Sequence, residues 1–145
     1  MSSPPVADRL RAAGERVTSQ RLAVAETLAT SRRPQSAEDL WRRLRARHGE
    51  IGRATVFRTL EALVAAGVAR RFEPEGHAST YVACRAGHHH HLVCTGCGSV
   101  EEVDEALIRP MVEGMRAATG FEIEDARIDF YGRCSRCTAE DGSEN

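Results

Sequence analysis

Two pairs of cysteines, Cys94-Thr95-Gly96-Cys97 and Cys134-Ser135-Arg136-Cys137, constrain this chain more than any other feature of it. Two residues between cysteines let both thiolates of a tight turn reach one ion, and two such turns supply the tetrahedral sulfur set that zinc prefers. A thioredoxin-like redox pair or incidental buried cysteines are the alternatives. Two pairs, each in a turn after a predicted strand, point to zinc instead. A four-thiolate site leaves no position for water, so it is predicted to be structural rather than catalytic. Whatever the fold, it must carry residues 94–97 and 134–137 to one point.

The setting agrees with metal ligation. The chain has 145 residues and five cysteines, with no apolar run near the twenty residues a membrane span needs. Its first ten residues show neither a charged n-region nor an apolar h-region. A soluble, cytoplasmic protein in a reducing compartment is therefore expected, where thiols ligate metals rather than form disulfides. Such a length suits one domain or two small ones, and small domains have thin cores that benefit from metal staples or dimerisation. Net charge near zero conceals an asymmetry. Residues 1–83 carry 14 arginines against 9 acids, and residues 84–145 carry 6 against 12. A basic half beside an acidic half suggests an anionic partner for the first, although ordinary surface charge would look the same. All the positive charge is arginine, which suits phosphate contacts.

Periodicity divides the chain at about the same place. A short helix over Asp8 to Ala13 ends at Gly14. Thr18 is placed as an N-cap, with Val17 and Leu22 as a hydrophobic staple and Leu22, Ala25 and Leu28 along one helical face. Ser36 caps the next helix with Asp39 at the capping-box position; Leu40, Trp41 and Leu44 form its apolar side, and Gly49 ends it. A third helix runs from Arg53 to Ala66 with Val56, Leu60, Leu63 and Val64 at helical spacing, stopped by Gly67. Val68 to Phe72 and Ser79 to Ala83 then read as strands around Glu73-Pro74-Glu75-Gly76. Helices followed by a β-hairpin make a winged helix-turn-helix. From Cys84 the pattern is a strand over His88 to Val103 broken by the CTGC turn, a helix from Glu105 to Thr119, and a strand from Glu122 to Tyr131. The first six residues and the stretch from Thr138 to Asn145 are expected to fray. The predicted fold is thus α+β, with a winged-helix DNA-binding domain over residues 1–83 and a small α/β metal-binding domain over residues 84–145.

The run His88 to His91 carries a second metal expectation. On a strand, His89 and His91 share one face while His88 and His90 share the other. A His-x-His pair can hold one ion through two imidazoles, and Cys84, the fifth cysteine, lies just upstream. One soft thiolate with two imidazoles favours zinc over iron or manganese. A solvated strand edge and an inert buried thiol are the alternatives. Glu102, on the strand leaving the CTGC turn, is the favoured fourth ligand, and His77 in the wing turn is the other candidate.

The stretches Gly14-x-Arg16-Val17-Thr18-x-x-Arg21, Ser36-Ala37-Glu38-Asp39-Leu40, Ala54-Thr55-Val56-Phe57-Arg58-Thr59-Leu60, His88 to Cys97 and Cys134 to Cys137 occur in that order. Together they resemble the ferric uptake regulator (Fur) family over roughly Arg9 to Cys137. The resemblance implies a winged-helix domain, a hinge and a dimerisation domain bearing the four-cysteine zinc. Cys84 followed by His89 and His91 is most similar to the zinc uptake regulator (Zur) branch. Phe57 stands where many members have tyrosine, and Arg70 where some zinc sensors place an aspartate ligand. The family's further metal site would use His88 and His90, but its remaining positions here are Arg109 and Ala126, so His88 and His90 bind weakly or not at all.

The resemblance implies a zinc-loaded homodimer that binds a double-stranded operator, represses zinc-homeostasis genes and takes no small-molecule substrate. In a winged helix-turn-helix the recognition helix puts its N-terminal residues at base edges in the major groove. That assigns Arg53, Thr55, Phe57 and Arg58 to the groove. Arg58 suits a guanine edge and Phe57 a thymine methyl. Arg16 resembles the family's basic residue for the minor groove, and Arg70 and Arg71 on the wing are phosphate contacts or solvated. An iron or peroxide sensor of the same family is the nearest rival. A zinc-dependent hydrolase using His89, His91 and Glu102 lacks an HExxH motif or a second acid–base pair. A zinc-ribbon module that never meets DNA is opposed by the arginine-rich first half. No catalytic residue is expected.

Overall fold

In the computed structural model, which describes residues 4–74, 76–85 and 89–142, the first element is helix α1, Val6–Ala12. Helix α2, Ser19–Ala29, begins where the Thr18 side chain accepts a hydrogen bond from the Arg21 amide at 3.1 Å. Its buried face is Val24, Ala25 and Leu28. Leu22 was expected on that face but is exposed. It lies about 120° round the axis from Leu28 at 3.6 residues per turn, on the shoulder of the stripe.

A two-residue strand β1, Gln35–Ser36, leads into helix α3, Ala37–Arg45. Ser36 and Asp39 close a full capping box. The helix stops at Ala46, earlier than Gly49, because the amides of Arg47 and His48 both turn back onto the Leu44 carbonyl. Helix α4, Arg53–Ala65, buries Val56, Thr59, Leu60, Ala62 and Leu63. Gly67, at φ +68°, ends it in a conformation that costs other residues strain. Strands β2, Ala69–Phe72, and β3, Thr80–Ala83, pair antiparallel with Arg71 opposite Tyr81. The three-stranded order is β1-β3-β2. β1 escaped the sequence reading because two residues are too few for an alternation to show. Part of the predicted wing turn, Glu75, lies outside the described residues. One core serves the helices and this sheet, with Leu10, Leu28, Leu40, Leu44, Leu60, Leu63 and Tyr81 in it. Each such side chain contributes about 1.5–3 kcal/mol through burial.

The second half contains β4, His90–Cys94, β5, Val100–Val103, α5, Glu105–Thr119, β6, Asp129–Gly132, and α6, Ser135–Gly142. β4 and β5 form an antiparallel hairpin about the CTGC turn, and β6 lies parallel to β4 on its other side. A parallel neighbour requires a long crossover, and α5 supplies it. Asp104 caps α5 by accepting from the Ala106 amide at 2.8 Å, and Gly120 ends it at φ +70°.

Two expectations are corrected in this half. The last strand covers only 129–132 rather than starting at Glu122, since only those residues find a partner in β4. The stretch from Thr138 does not fray at once, because helix α6 continues to Gly142 with Cys137 buried in its first turn, and at the other end α1 already begins at Val6. The chain divides into two compact units, Met1–Ala86 and Gly87–Asn145. Unit 1 is a winged helix-turn-helix and unit 2 a small α/β sheet domain. No helix among the described residues is long and apolar enough to cross a membrane.

Candidate metal centres

The parallel pairing of β4 and β6 explains how the two CxxC turns meet. Parallel strands end on the same side of a sheet, and Cys94 at the end of β4 stands opposite Gly132 at the end of β6. The Thr95 amide bonds the Gly132 carbonyl at 2.8 Å, locking the two exits together. The four sulfur atoms of Cys94, Cys97, Cys134 and Cys137 then lie within 4.8 Å of one another. Cys94 to Cys137 and Cys97 to Cys134 are each 3.8 Å apart, sulfur to sulfur. A tetrahedron with zinc–sulfur bonds of about 2.3 Å has edges of about 3.8 Å, whereas a disulfide requires about 2.05 Å. Cys94 and Cys137 are buried and Cys97 is exposed, so the cluster opens to solvent at one corner.

The electrostatics of the cluster ask for a cation. The backbone N–H of Cys134 donates to the Cys94 sulfur at 3.3 Å and that of Cys97 at 3.5 Å. These donors, Cys134 first, hold the Cys94 thiol down to about 5. The Ser99 hydroxyl and amide lower Cys97 as well. Cys137 is pushed up to about 12, by the adjacent Cys134 sulfur first and then by burial. Thiolates gathered this closely repel one another, and without a positive ion the last proton stays on. Donor type, spacing and charge all fit a tetrahedral thiophilic metal, and Cys94, Cys97, Cys134 and Cys137 are the residues that would hold it. Gly96 belongs to the same device. A Cβ built there would meet the Cys137 sulfur at 3.1 Å and its Cβ at 3.3 Å.

His90 and His91 lie on β4, and His89 immediately precedes it. His89 and His91 offer ligand atoms within 4.8 Å of each other, their rings edge to face with centroids 4.9 Å apart. His91 is buried, and its Nδ1 lies 3.4 Å from the Asp129 carboxylate on β6. Metal-bound histidines characteristically present their second ring nitrogen to such a carboxylate. Asp129 did not stand out in the sequence. Only the parallel register, which puts it opposite His91, exposes its role.

Glu102 stands across from His91 on β5, exposed to solvent. His77 is exposed in the wing turn, its amide bonded to the Pro74 carbonyl. Neither belongs to a close group of three donors among the described residues. Cys84 follows β3 in unit 1 and is half-buried. His88 lies outside the described residues. His90 is fully buried with Nε2 3.0 Å from a Glu105 carboxylate oxygen, and its Nδ1 has no hydrogen-bond partner among the described residues. Arg109 is exposed on α5, and Ala126 offers no donor.

In unit 1 the predicted DNA-facing residues line the outer face of α4. Phe57 is 47% exposed on that face. Arg58 is exposed, with a long contact of 3.5 Å to the Thr55 hydroxyl. Thr55 is half-buried, and Arg16 is exposed in the loop before α2. Arg53 is more constrained than the sequence suggested. Its guanidinium stacks 4.5 Å from the Trp41 ring and pairs with Glu38 at 3.0 Å. Arg45 stacks on the same ring at 4.6 Å. Arg71 pairs with Glu61 and Glu73 at 3.3 and 3.2 Å, so on the wing it is already engaged.

Known proteins bear directly on this arrangement. The family model of the ferric uptake regulator family matches residues 12–131. The transcriptional regulator FurA of Mycobacterium tuberculosis is 33% identical over 143 residues, covering 98% of this chain and 96% of that protein. The ferric uptake regulation protein of Bacillus subtilis is 34% identical over 137 residues, with 92% of each chain covered. The structure of the ferric uptake regulator from Pseudomonas aeruginosa with manganese superposes with a TM-score of 0.70 at 32% identity. That match covers 88% of this chain and 96% of the other.

Proposed function

The chain belongs to the ferric uptake regulator family of metal-responsive transcriptional regulators, and from that premise we propose that it is a zinc-sensing repressor. In this reading it acts in the cytoplasm as a homodimer on double-stranded operator DNA and controls zinc-homeostasis genes. Cys94, Cys97, Cys134 and Cys137 hold a structural zinc, whose contribution is a cross-link between the ends of β4 and β6. Cys84, His89 and His91 take the regulatory zinc, with Glu102 as fourth ligand and His77 as its alternative. His88 and His90 bind metal weakly or not at all, and the burial of His90 against Glu105 supports that. The proposed domains are the winged helix, residues 1–83, and the metal-binding domain, residues 84–145, with Cys84 at the junction still in the first compact unit.

The observation that carries the zinc reading is the donor set. Two imidazoles, of His91 on β4 and of His89 just before it, lie close to each other, and Cys84 precedes His89 by five residues, within easy reach of the chain. A thiolate with two imidazoles suits zinc better than iron or manganese. DNA recognition rests on the exposed outer face of α4, where Phe57 and Arg58 project, with Thr55 beside them and Arg53 at its N-terminus. Arg16 precedes the fold of the motif as a minor-groove contact. Two recognition helices fit successive major grooves only at one separation. A metal shared by Cys84 and the β4 histidines would restrict that separation, so metal and DNA would each strengthen the other's binding.

The names of the relatives favour a second reading, an iron sensor on the same scaffold. One titration separates them. Zinc and ferrous iron are added to metal-stripped protein against competing chelators, for the native chain and Cys84→Ala. Two zinc classes per protomer, the weaker lost in the variant, are expected. A single zinc class with tight ferrous binding unchanged by the substitution would establish the iron reading.

A further inference from the structure

Arg9 joins three distant parts of unit 1. From helix α1 its guanidinium donates to the Cys84 carbonyl at 2.7 Å and, through its other terminal nitrogen, to the Gly67 carbonyl. Those acceptors lie 75 and 58 residues away in sequence. Gly67 is the residue that ends the recognition helix α4, where the carbonyl end of the helix dipole favours a cation. Cys84 is the residue that ends the wing. Its own amide donates to the Val68 carbonyl at 2.8 Å, at the start of β2. Both backbone groups of Cys84 are therefore tied into the winged helix, one to the wing and one through Arg9 to α1 and the end of α4. Arg9 is half-buried, and the Leu10 beside it is fully buried in the core.

We propose that Arg9 is a positioning residue that transmits occupancy of the Cys84 site to the recognition helix. This rests on the reading of Cys84 as a regulatory ligand. A metal that draws on the Cys84 thiolate displaces its backbone, and a planar guanidinium bridging two carbonyls passes that displacement to Gly67 rather than absorbing it. The fork geometry is what makes the bridge stiff. Lysine offers a single mobile ammonium, and methionine keeps the bulk and loses every donor. Arg9 touches neither the metal nor, in this reading, the DNA. Its effect appears in the coupling between them.

The test uses the full chain and a duplex selected from a randomised pool by the zinc-loaded native protein. Duplex affinity is measured with zinc and in chelator for the native chain, Arg9→Met and Arg9→Lys, each with its melting temperature and its zinc stoichiometry. Allosteric coupling typically spans about 5–150-fold in affinity. The native ratio is expected in that range, the Arg9→Met ratio within about threefold of unity, and the Arg9→Lys ratio between them, all with two zinc ions per protomer. A merely structural role would lower the melting temperature and leave the ratio alone. A native-like ratio in a folded Arg9→Met or Arg9→Lys protein overturns the proposal, and so does unfolding of both variants. A native chain showing no zinc dependence would instead overturn the zinc-sensor reading itself.

Discussion

At the scale of single residues, the sulfur cluster turns on groups that are not sulfur. Gly96 leaves the space that the Cys137 side chain occupies, at 3.1 Å from where a Cβ would sit. Gly96→Ala is expected to displace Cys137 by a few tenths of an ångström and to lose metal sooner, read as a lower chelator concentration for half-removal. Retention equal to the native chain would show that the cluster yields without cost. Asp129 is the corresponding support for His91. Asp129→Asn is expected to weaken zinc at the second site by about 10–100-fold, the usual effect of losing a carboxylate behind a ligating histidine. Stoichiometry at the four-cysteine site should stay the same. The raised Cys137 and lowered Cys94 give the pH dependence a sign. A metal must displace the proton that Cys137 otherwise keeps. Uptake therefore releases protons, and apparent affinity falls by about tenfold per pH unit for each proton displaced as pH drops. A competition titration at pH 8 and pH 6 measures it, and equal affinities would mean that all four sulfurs are already ionised in the metal-free protein.

At the scale of elements, caps and register do most of the positioning. The Ser36–Asp39 box starts α3 and so fixes where Trp41 stacks against Arg53 at the head of α4. Ser36→Ala should cost about 1 kcal/mol of unit 1 stability, measured by denaturant unfolding of the two proteins side by side. In unit 2, β6 is a four-residue strand with the cysteine turn at its end, a short attachment for the last element of a sheet. A metal held by the four cysteines would supply the cross-link that those few hydrogen bonds do not. Removal of the structural ion is therefore expected to release β6 and α6 first. Amide exchange at 129–142 should accelerate on chelation while the α2 and α4 amides stay protected.

At the scale of the whole molecule, charge divides as the sequence does, with the arginine excess confined to the winged-helix half. Duplex binding should weaken steeply with salt, the logarithm of affinity falling by about 0.9 per phosphate neutralised for each tenfold rise in salt. Arg58→Ala should lower affinity for the selected duplex more than for random duplex, by about 1–3 kcal/mol for a lost bidentate base contact. Equal losses on both would reassign Arg58 to a phosphate.

Local signals in the sequence suffice for most of the elements and for the sulfur spacing, though not for β1, α6 or the extent of β6. Caps at Thr18, Ser36 and Gly67, the change of period after Gly67, and two CxxC spacings are local signals, each legible within a few residues. The helix expected over about 105–119 spans Glu105–Thr119 in the structure. Tertiary structure decided whatever depends on which strand lies beside which. The parallel register of β4 and β6 puts Asp129 behind His91 and joins the two cysteine turns. Arg9 acquires meaning only because Cys84 and Gly67 lie beside each other in the folded unit. Leu22 carried the right pattern and still faces solvent, because periodicity marks an apolar stripe without fixing where packing centres it. Hydrophobic patterning acts over one turn or one strand. The partners of a half-buried guanidinium or a buried imidazole are chosen across the fold, where no sequence spacing records them.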